Sequence, residues 1–224
     1  MYDTIIIIPY RNRANHLNIF LNHSLNLFKK YLNNFKIVII EQDKEKPFNR
    51  GKLLNVAFSL YKNKSAFFIT HDVDICPNEN AVKKLYTKKD NDVIKISVPH
   101  KLSFGQVCKF THNSIFEVNG FPNYIWGWGI EDRALYYRYK ILKKNISDNY
   151  TNKHDFLFLH HESNVETYTG EKKRISEKEE AIFKCDNIIE QKDHILSSGI
   201  NNLTYKIINT ININDYIEVI QVSI

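Results

Sequence analysis

Two aspartates separated by one residue, Asp72 and Asp74, follow a short apolar run and are the first side chains that could do chemistry. In an extended segment alternate residues face the same way, so both carboxylates point to one side. Two hard oxygen donors at a strand end suit Mg²⁺ or Mn²⁺, and either ion could hold a diphosphate. Such a triplet also arises by chance as a solvated turn, so its position after a buried strand is what favours a metal site.

Arginines follow two other apolar runs. Arg11 and Arg13 come after the first run, and Arg50 comes after the second. A guanidinium can fork onto a phosphate or onto the edge of a nucleoside. Taken singly, each arginine could equally form a surface ion pair.

A loop with two tryptophans, Trp126-Gly127-Trp128-Gly129, leads to Glu131 and Asp132. Large apolar side chains among glycines predict a mobile lid whose indole faces stack on a sugar. The two carboxylates then open a helix, where the helix dipole favours them. The alternative is that both tryptophans are core residues.

Two histidines, His160 and His161, end the apolar run at residues 156–159. A neutral imidazole suits Mn²⁺ and could complete a site with Asp74. Without context, such a pair is also compatible with a structural or exposed role.

The elements that must position these residues alternate along the first 70 residues. Apolar runs predict buried strands at 4–8, 35–40 and 66–70, and helical spacing predicts helices at 15–31 and 52–61. This order is typical of a parallel sheet with crossover helices, whose ligands bind beyond the carboxyl ends of the strands. The aspartates and arginines are therefore expected at one edge.

The second half is less regular. It predicts, in chain order, strands at 93–98 and 104–110, a helix at 131–143, a charged helical segment at 172–195, and closing strands at 203–208 and 217–222. We find no repeat, linker or domain boundary. The expected fold is one α/β domain, residues 1–224, with a mostly parallel central sheet flanked by helices.

Composition excludes several classes. The 224 residues are 43% hydrophobic and 13% aromatic, which is ordinary for a globular protein. The net charge of +6 comes from lysines that are scattered rather than striped, so a nucleic-acid partner is not expected. No run approaches a membrane span or a signal-peptide core, and three dispersed cysteines form no metal or disulfide pattern. We expect a soluble cytoplasmic protein.

Five segments, in this order, resemble the β-1,4-galactosyltransferase family, and especially its xylosylprotein branch. They are the segment from Ile5 to Arg13, Phe48-Asn49-Arg50-Gly51-Lys52-Leu53-Leu54-Asn55-Val56, His71-Asp72-Val73-Asp74-Ile75-Cys76-Pro77, the Trp-Gly loop with Glu131-Asp132, and Ser198-Gly199-Ile200-Asn201-Asn202-Leu203-Thr204-Tyr205. The resemblance covers residues 4 to about 222.

The resemblance implies a GT-A (Rossmann-like) fold and an inverting, metal-dependent transfer of galactose or N-acetylgalactosamine from a UDP-sugar to a glycan or glycoconjugate hydroxyl. Residues 1–75 would bind mainly nucleotide-sugar and metal, and residues 100–170 would form mainly the acceptor side. The donor-binding residues would be Pro9, Tyr10, Arg11, Arg13, Phe48, Arg50, Asp72, Ser103 and Trp128. Mn²⁺ would be bound by Asp74 and His161, with His160 as the fallback. The acceptor would meet Trp126, Gly129, Glu131 and Arg133, and Asp132 would be the general base beside Glu131.

Departures from the family pattern concern substrate choice. Arg133 replaces the last carboxylate of the family's E-D-D, so neither plain N-acetylglucosamine nor xylose is expected as the acceptor. Ser103 stands where the family carries a larger side chain, which leaves room for an N-acetyl group on the donor. Gln106 replaces a glycine against the donor sugar and could offset that room. Leu157 or Phe158 stands where some members supply another metal ligand.

Two further hypotheses remain. A catalytically silent UDP-sugar or glycan-binding protein of the same fold would keep these segments without turnover. A metal phosphoesterase using His71, Asp72 and Asp74 would leave the Trp-Gly loop unexplained. The lack of an anchor in this sequence also indicates a bacterial or viral version of the family.

Overall fold

The structure, a computed structural model, describes residues 1–98, 100–127, 129–147, 153–160 and 170–224. In those ranges the strands are β1 (Tyr2–Tyr10), β2 (Phe35–Gln42), β3 (Ser65–His71), β4 (Ile75–Pro77), β5 (Val93–Ser97), β6 (Val107–Thr111), β7 (Ile146–Ser147), β8 (Phe156–Phe158), β9 (Lys206–Asn214) and β10 (Ile217–Ser223). The helices are α1 (Ala14–Tyr31), α2 (Arg50–Leu60), α3 (Glu79–Ala81, continued by a π-turn at Val82–Tyr86), α4 (His112–Glu117), α5 (Glu131–Ile141), α6 (Gly170–Lys184) and α7 (Ile188–Leu196). Short 3₁₀ turns lie at Lys153–Asp155 and Ile200–Asn202.

Eight strands form the central sheet in the order β7-β5-β6-β3-β1-β2-β10-β9. Its middle is parallel, because β1 pairs in parallel with β2 and β3, and β10 with β2. Antiparallel pairs flank this middle, β3 with β6 on one side and β10 with β9 on the other. The predicted α/β fold with a mostly parallel sheet is confirmed.

The four consecutive isoleucines of β1 explain why this strand is central. Ile5 to Ile8 have no exposed surface. Alternate members face opposite sides, so Ile5 and Ile7 join the core with α2, whereas Ile6 and Ile8 join the core with α1. Burial on both faces is the reason why the run is continuous rather than alternating.

Three predicted elements differ in their bounds. The strand expected at 104–110 begins only at Val107, because the N–H of Phe104 donates to the carbonyl of Asp132 at 3.2 Å and Gln106 adopts φ +60°. The charged segment forms two helices, since Asn187 caps α7 through its side chain. The closing strand expected at 203–208 runs instead from Lys206 to Asn214.

A second, two-stranded sheet pairs β4 with β8 in antiparallel fashion. This pairing places β8, which precedes His160, alongside β4, which follows Asp74. None of the helices in the described ranges is both long and apolar enough to cross a bilayer. The cytoplasmic location stays a prediction.

Candidate active site

The end of β3 and the start of α2 meet at Arg50. Asn49 caps α2 by accepting from the N–H of Lys52 at 2.8 Å, which places Arg50 in the first turn. The Nε of Arg50 donates to Oδ1 of Asp72 at 2.8 Å, and Nη1 lies 3.7 Å from Oε1 of Glu131. Burial disfavours the charged guanidinium, but the neighbouring carboxylates outweigh it and raise the pKa of Arg50. Arg50 is therefore a permanent cation between two carboxylates.

Glu131 is the first residue of α5 and is buried. Burial, followed by the charge of Asp132, raises the pKa of Glu131 to about 7, and the charge of Arg50 opposes this rise. Within the described residues, Oε2 of Glu131 and both terminal nitrogens of Arg50 are buried without a hydrogen-bond partner. Buried polar atoms of this kind indicate that a ligand or water belongs between them.

Asp132 is held by its own helix and by the loop before β6. Its Oδ1 accepts the backbone N–H of Arg133 at 2.8 Å, and its carbonyl accepts that of Phe104. A Cβ built on Gly105 would lie only 2.7 Å from Oδ2 of Asp132. The absence of a side chain at Gly105 thus makes space for the carboxylate, a role that sequence reasoning missed.

The turn that leads into α5 is strained. Ile130 has φ +69°, in the left-handed region, and Gly127 and Gly129 also have positive φ. A β-branched residue in this region is an outlier whose cost must be met by surrounding structure. The strain lies directly before the two carboxylates, at the loop predicted to be a lid.

On the donor side, Arg11, which directly follows β1, lines a basic cleft. A cleft of about 370 Å³ is lined by Arg11, Asn12, Lys44, Lys46 and Pro47. The guanidinium of Arg11 donates to the carbonyl of Lys46 at 2.7 Å and lies 5.3 Å from the ring centroid of Phe48. Three cations in one cleft can receive a diphosphate. The two lysines were not predicted.

The other donor residues at the end of β1 differ in burial. Pro9 and Tyr10 are buried, and burial raises the pKa of Tyr10. Arg13 is half-buried and precedes α1, where its carbonyl accepts the N–H of Leu17 at 2.9 Å. Of the predicted donor residues in this turn, Arg11 is therefore the one that lines the cleft.

The start of the Trp-Gly loop is tied to the same cleft. The N–H of Gly127 donates to the carbonyl of Phe48 at 2.7 Å. The ammonium groups of Lys46 and Lys52 lie 5.6 and 5.7 Å from the ring centroid of Trp126, which is half-buried. Trp126 therefore belongs partly to the scaffold, and Trp128 lies outside the described residues.

A buried asparagine, Asn55, joins this loop to α2 and was missed by sequence reasoning. Asn55 donates to the carbonyl of Phe121 at 2.6 Å and to Oδ1 of Asn123 at 2.9 Å. Its own Oδ1 accepts the N–H of Phe121 at 2.9 Å. The Phe48–Val56 motif could have indicated this contact, because an asparagine on a buried helix face needs polar partners.

The predicted donor-pocket residues lie before β6. Ser103 is buried, and its hydroxyl donates to the carbonyl of His100 at 3.4 Å. The side-chain oxygen of Gln106 accepts from the hydroxyl of Ser97 at 2.9 Å, and its carbonyl accepts the N–H of Asp72 at 3.2 Å. Gln106 thus borders Asp72, with its side chain anchored on β5.

The candidate metal residues are brought together by backbone contacts. The carbonyl of Asp74 accepts the N–H of Leu159 at 2.8 Å, so His160 comes directly after a residue bonded to Asp74. The His160 side chain is exposed, and its carbonyl lies 3.2 Å from Nε2 of His16. Among the described residues, no three metal-ligating side chains cluster; His161 lies outside them.

His71 has a structural role next to this site. It is fully buried, with Nε2 2.8 Å from the Tyr86 hydroxyl and Nδ1 2.8 Å from the carbonyl of Asp72. Burial lowers the pKa of His71 to about 4. Its neutral ring fixes the backbone of Asp72 and is not available as a metal ligand.

Comparisons with known proteins identify the family of this chain. The model of the N-terminal region of glycosyl transferase group 7 matches residues 1–88, and that of the N-terminal domain of galactosyltransferase matches residues 88–162. Beta-1,4-galactosyltransferase 1 of Bos taurus is 30% identical over 215 residues, which cover 92% of this chain and 51% of the relative. Human beta-1,4-galactosyltransferase 6 is 30% identical over 216 residues, 92% of this chain and 53% of the relative. The chain thus spans about half the length of these relatives.

Solved structures share the fold. Drosophila β-1,4-galactosyltransferase 7, a mutant in complex with manganese, UDP-Gal and xylobiose, gives a TM-score of 0.80 at 19% identity, covering 100% of this chain and 94% of that chain. A Pyrobaculum calidifontis mannosyltransferase in complex with GDP-Man and Mn²⁺ gives 0.55 at 9% identity, covering 87% and 74%. The fold is therefore a GT-A fold. The chain belongs to the β-1,4-galactosyltransferase family.

Proposed function

We propose that this protein is an inverting, metal-dependent glycosyltransferase that moves galactose or N-acetylgalactosamine from a UDP-sugar to a glycan hydroxyl. The observation that carries the proposal is the contact of Arg50 with both Asp72 and Glu131. It joins the predicted donor side to the predicted acceptor side, with Asp132 next in the chain. Family membership supports the reaction class.

The donor side supports a nucleoside diphosphate sugar. The basic cleft beside Arg11 and Phe48 suits the diphosphate and base, and Asp72 pairs with Arg50, which also lies 3.7 Å from Glu131. A serine at position 103, where the family carries a larger side chain, would leave room for an N-acetyl group on the donor, and Gln106 is held by a hydrogen bond from Ser97. The proposal therefore keeps both galactose and N-acetylgalactosamine as donor sugars.

A Mn²⁺ ion fits the donors that the chain offers. Asp74 supplies a carboxylate, and the Asp74–Leu159 backbone bond places His160 directly after a residue bonded to Asp74; His161, the predicted metal histidine, lies outside the described residues. Carboxylate and imidazole are ligands that Mn²⁺ accepts, leaving positions for diphosphate oxygens. When bound, the ion would neutralise the charge that gathers on the leaving diphosphate.

The proposed reaction is one in-line displacement. The acceptor oxygen bonds to C1 of the donor sugar as the bond from C1 to the diphosphate oxygen breaks, and UDP leaves with the bonding electrons. Asp132 takes the hydroxyl proton, because its carboxylate is only half-buried and is oriented by the N–H of Arg133. Arg50 would hold the donor and Glu131 the acceptor, so that attack comes from the face opposite the leaving group.

The test is UDP release from UDP-galactose and UDP-N-acetylgalactosamine with Mn²⁺, with and without glycan acceptors. We expect the Asp132→Asn and Asp74→Ala variants each to lose activity. Loss of Mn²⁺ binding is expected only for Asp74→Ala. An Asp132→Asn variant with near-normal turnover would show that the base is another residue. Donor binding by titration calorimetry without turnover on any acceptor would identify the silent binding protein instead.

A further inference from the structure

Arg133 occupies an unusual position between the proposed base and helix α6. Its backbone N–H donates to the Asp132 carboxylate at 2.8 Å, whereas its guanidinium Nη1 lies 3.1 Å from Oε1 of Glu180. The side chain of Arg133 remains 46% exposed. A partly exposed cation thus lies one residue from the group that would deprotonate the acceptor.

The bond to Glu180 uses one nitrogen of the guanidinium. In the described part of the chain no second acceptor bonds to the Arg133 side chain. The planar fork of an arginine matches two oxygens of a carboxylate or phosphate. A half-exposed fork with one bond made can accept such a group.

Glu180 does not depend on Arg133 alone. It also accepts from the hydroxyl of Tyr137 at 3.2 Å, and the Tyr137 ring stacks on Phe183 at 4.8 Å between centroids. These contacts join α5 to α6 without Arg133. An exposed ion pair contributes little to stability, so the guanidinium can turn from Glu180 to an anion at small cost.

We propose that Arg133 selects an acceptor that carries a carboxylate or a phosphate on the sugar that is glycosylated. The inference rests on the proposed transferase function, because it assigns the acceptor class of that same site. Glu180 then acts as an internal competitor that holds Arg133 in place when no acceptor is bound. The two partners of the ion pair therefore have opposite effects on anionic acceptors.

The experiment compares acceptors that differ only in charge. The probes are the p-nitrophenyl glycosides of glucose, galactose and N-acetylglucosamine. Each is compared with its 6-phosphate, and the glucose and galactose glycosides are also compared with the corresponding uronic acids. Transfer is measured as kcat/KM with Mn²⁺ and the better of the two UDP-sugars. UDP release without acceptor is recorded in parallel as the measure of donor use.

The variants are Arg133→Gln, Glu180→Gln and the control Lys140→Gln, which removes an exposed cation elsewhere on α5. We expect the wild type to favour anionic over neutral members by about tenfold or more, as for a forked pair. Arg133→Gln should bring this ratio close to one. Glu180→Gln should raise it, and Lys140→Gln should leave it unchanged. The relative rates with uronic acid and phosphate then show which anion is preferred.

If the Arg133–Glu180 ion pair is purely structural, the result is different. Loss of either partner should then change kcat/KM in the same direction for all acceptors. That outcome overturns the inference, as does a wild type that prefers neutral acceptors. UDP release to water with no anionic member glycosylated also overturns it. Absence of UDP release under all conditions instead refutes the proposed function itself.

Discussion

The guanidinium of Arg50 donates to the carboxylate of Asp72 through Nε at 2.8 Å, across the gap between α2 and the end of β3. Only 12% of the Arg50 side chain is exposed, against 29% for Asp72. A second carboxylate, Glu131, lies at 3.7 Å. Because this cation is buried, the two carboxylates depend on it for neutralisation, and it fixes the distance between the donor and acceptor sides.

The Arg50→Gln substitution should therefore be severely destabilising. Removing one partner of a buried ion pair leaves uncompensated charge, which typically costs about 3–5 kcal/mol. We expect a loss of this order in the free energy of unfolding, measured by urea denaturation at neutral pH. Arg174→Gln on exposed α6 is the matched control and should change stability by less than about 0.5 kcal/mol. Equal effects of the two substitutions would mean that Arg50 is not an electrostatic link.

Adding a methyl group at Gly105 should lower kcat without changing the affinity for UDP. In Gly105→Ala the new Cβ would lie 2.7 Å from Oδ2 of Asp132, so the carboxylate must move. We expect kcat to fall by about 10²-fold, because small displacements of a catalytic group have effects of this size. Titration calorimetry should show unchanged UDP affinity. Gly170→Ala, where the Cβ has no neighbour within 4 Å, is the control for the same chemical change.

A feature of this site can be predicted from the sequence when it depends on residues close together in the chain, and not when it depends on residues far apart in the chain. The strand-end positions of Arg11 and Asp72 follow from local periodicity and from the parallel-sheet rule. The contact of Gly105 with Asp132 does not, because it joins two loops whose relative placement is set by packing. Arg50 was predicted to bind UDP directly. Its contacts with the carboxylates of Asp72 and Glu131 could not be predicted and are seen only in the folded chain.

The acidic group at Glu131 should make stability depend on pH. Its pKa rises from 4.5 to about 7 on folding, so the folded state retains a proton that the unfolded state loses between these values. Stability gained from this group is fully present below pH 4.5 and is lost as pH rises to about 7, on the order of 3 kcal/mol in total. Glu131→Gln should remove this component.

The measurement is the difference in unfolding free energy between wild type and Glu131→Gln from pH 4.5 to 8. The difference between the two proteins is used because His71 also makes stability depend on pH and is present in both. The pKa of His71 is lowered to about 4, so its contribution to stability acts in the opposite direction and is lost as pH falls below 6.5. A difference that does not vary with pH would show that Glu131 titrates normally.

Relief of strain at Ile130 should stabilise the fold. A β-branched residue at φ +69° costs about 1–3 kcal/mol, and glycine adopts this conformation freely with an entropic cost of about 0.5–1 kcal/mol. Ile130→Gly should thus raise the midpoint of thermal unfolding. Ile130→Ala keeps most of the strain and should not do so. Equal midpoints for the two variants would argue that the strain is not released by glycine.

A larger side chain at Ser103 should narrow the choice of donor. Ser103 is only 4% exposed and lies two residues before Gly105, so a tyrosine there must enter the space that we assign to an N-acetyl group. We expect Ser103→Tyr to raise the ratio of rates with UDP-galactose and UDP-N-acetylgalactosamine by about tenfold or more, which is the discrimination that a steric clash in a closed pocket gives. Ser103→Ala keeps the space and should leave the ratio near that of the wild type. The ratio is measured from initial rates of UDP release with each donor. An unchanged ratio in Ser103→Tyr would mean that residue 103 does not bound the donor pocket and that the N-acetyl group lies elsewhere.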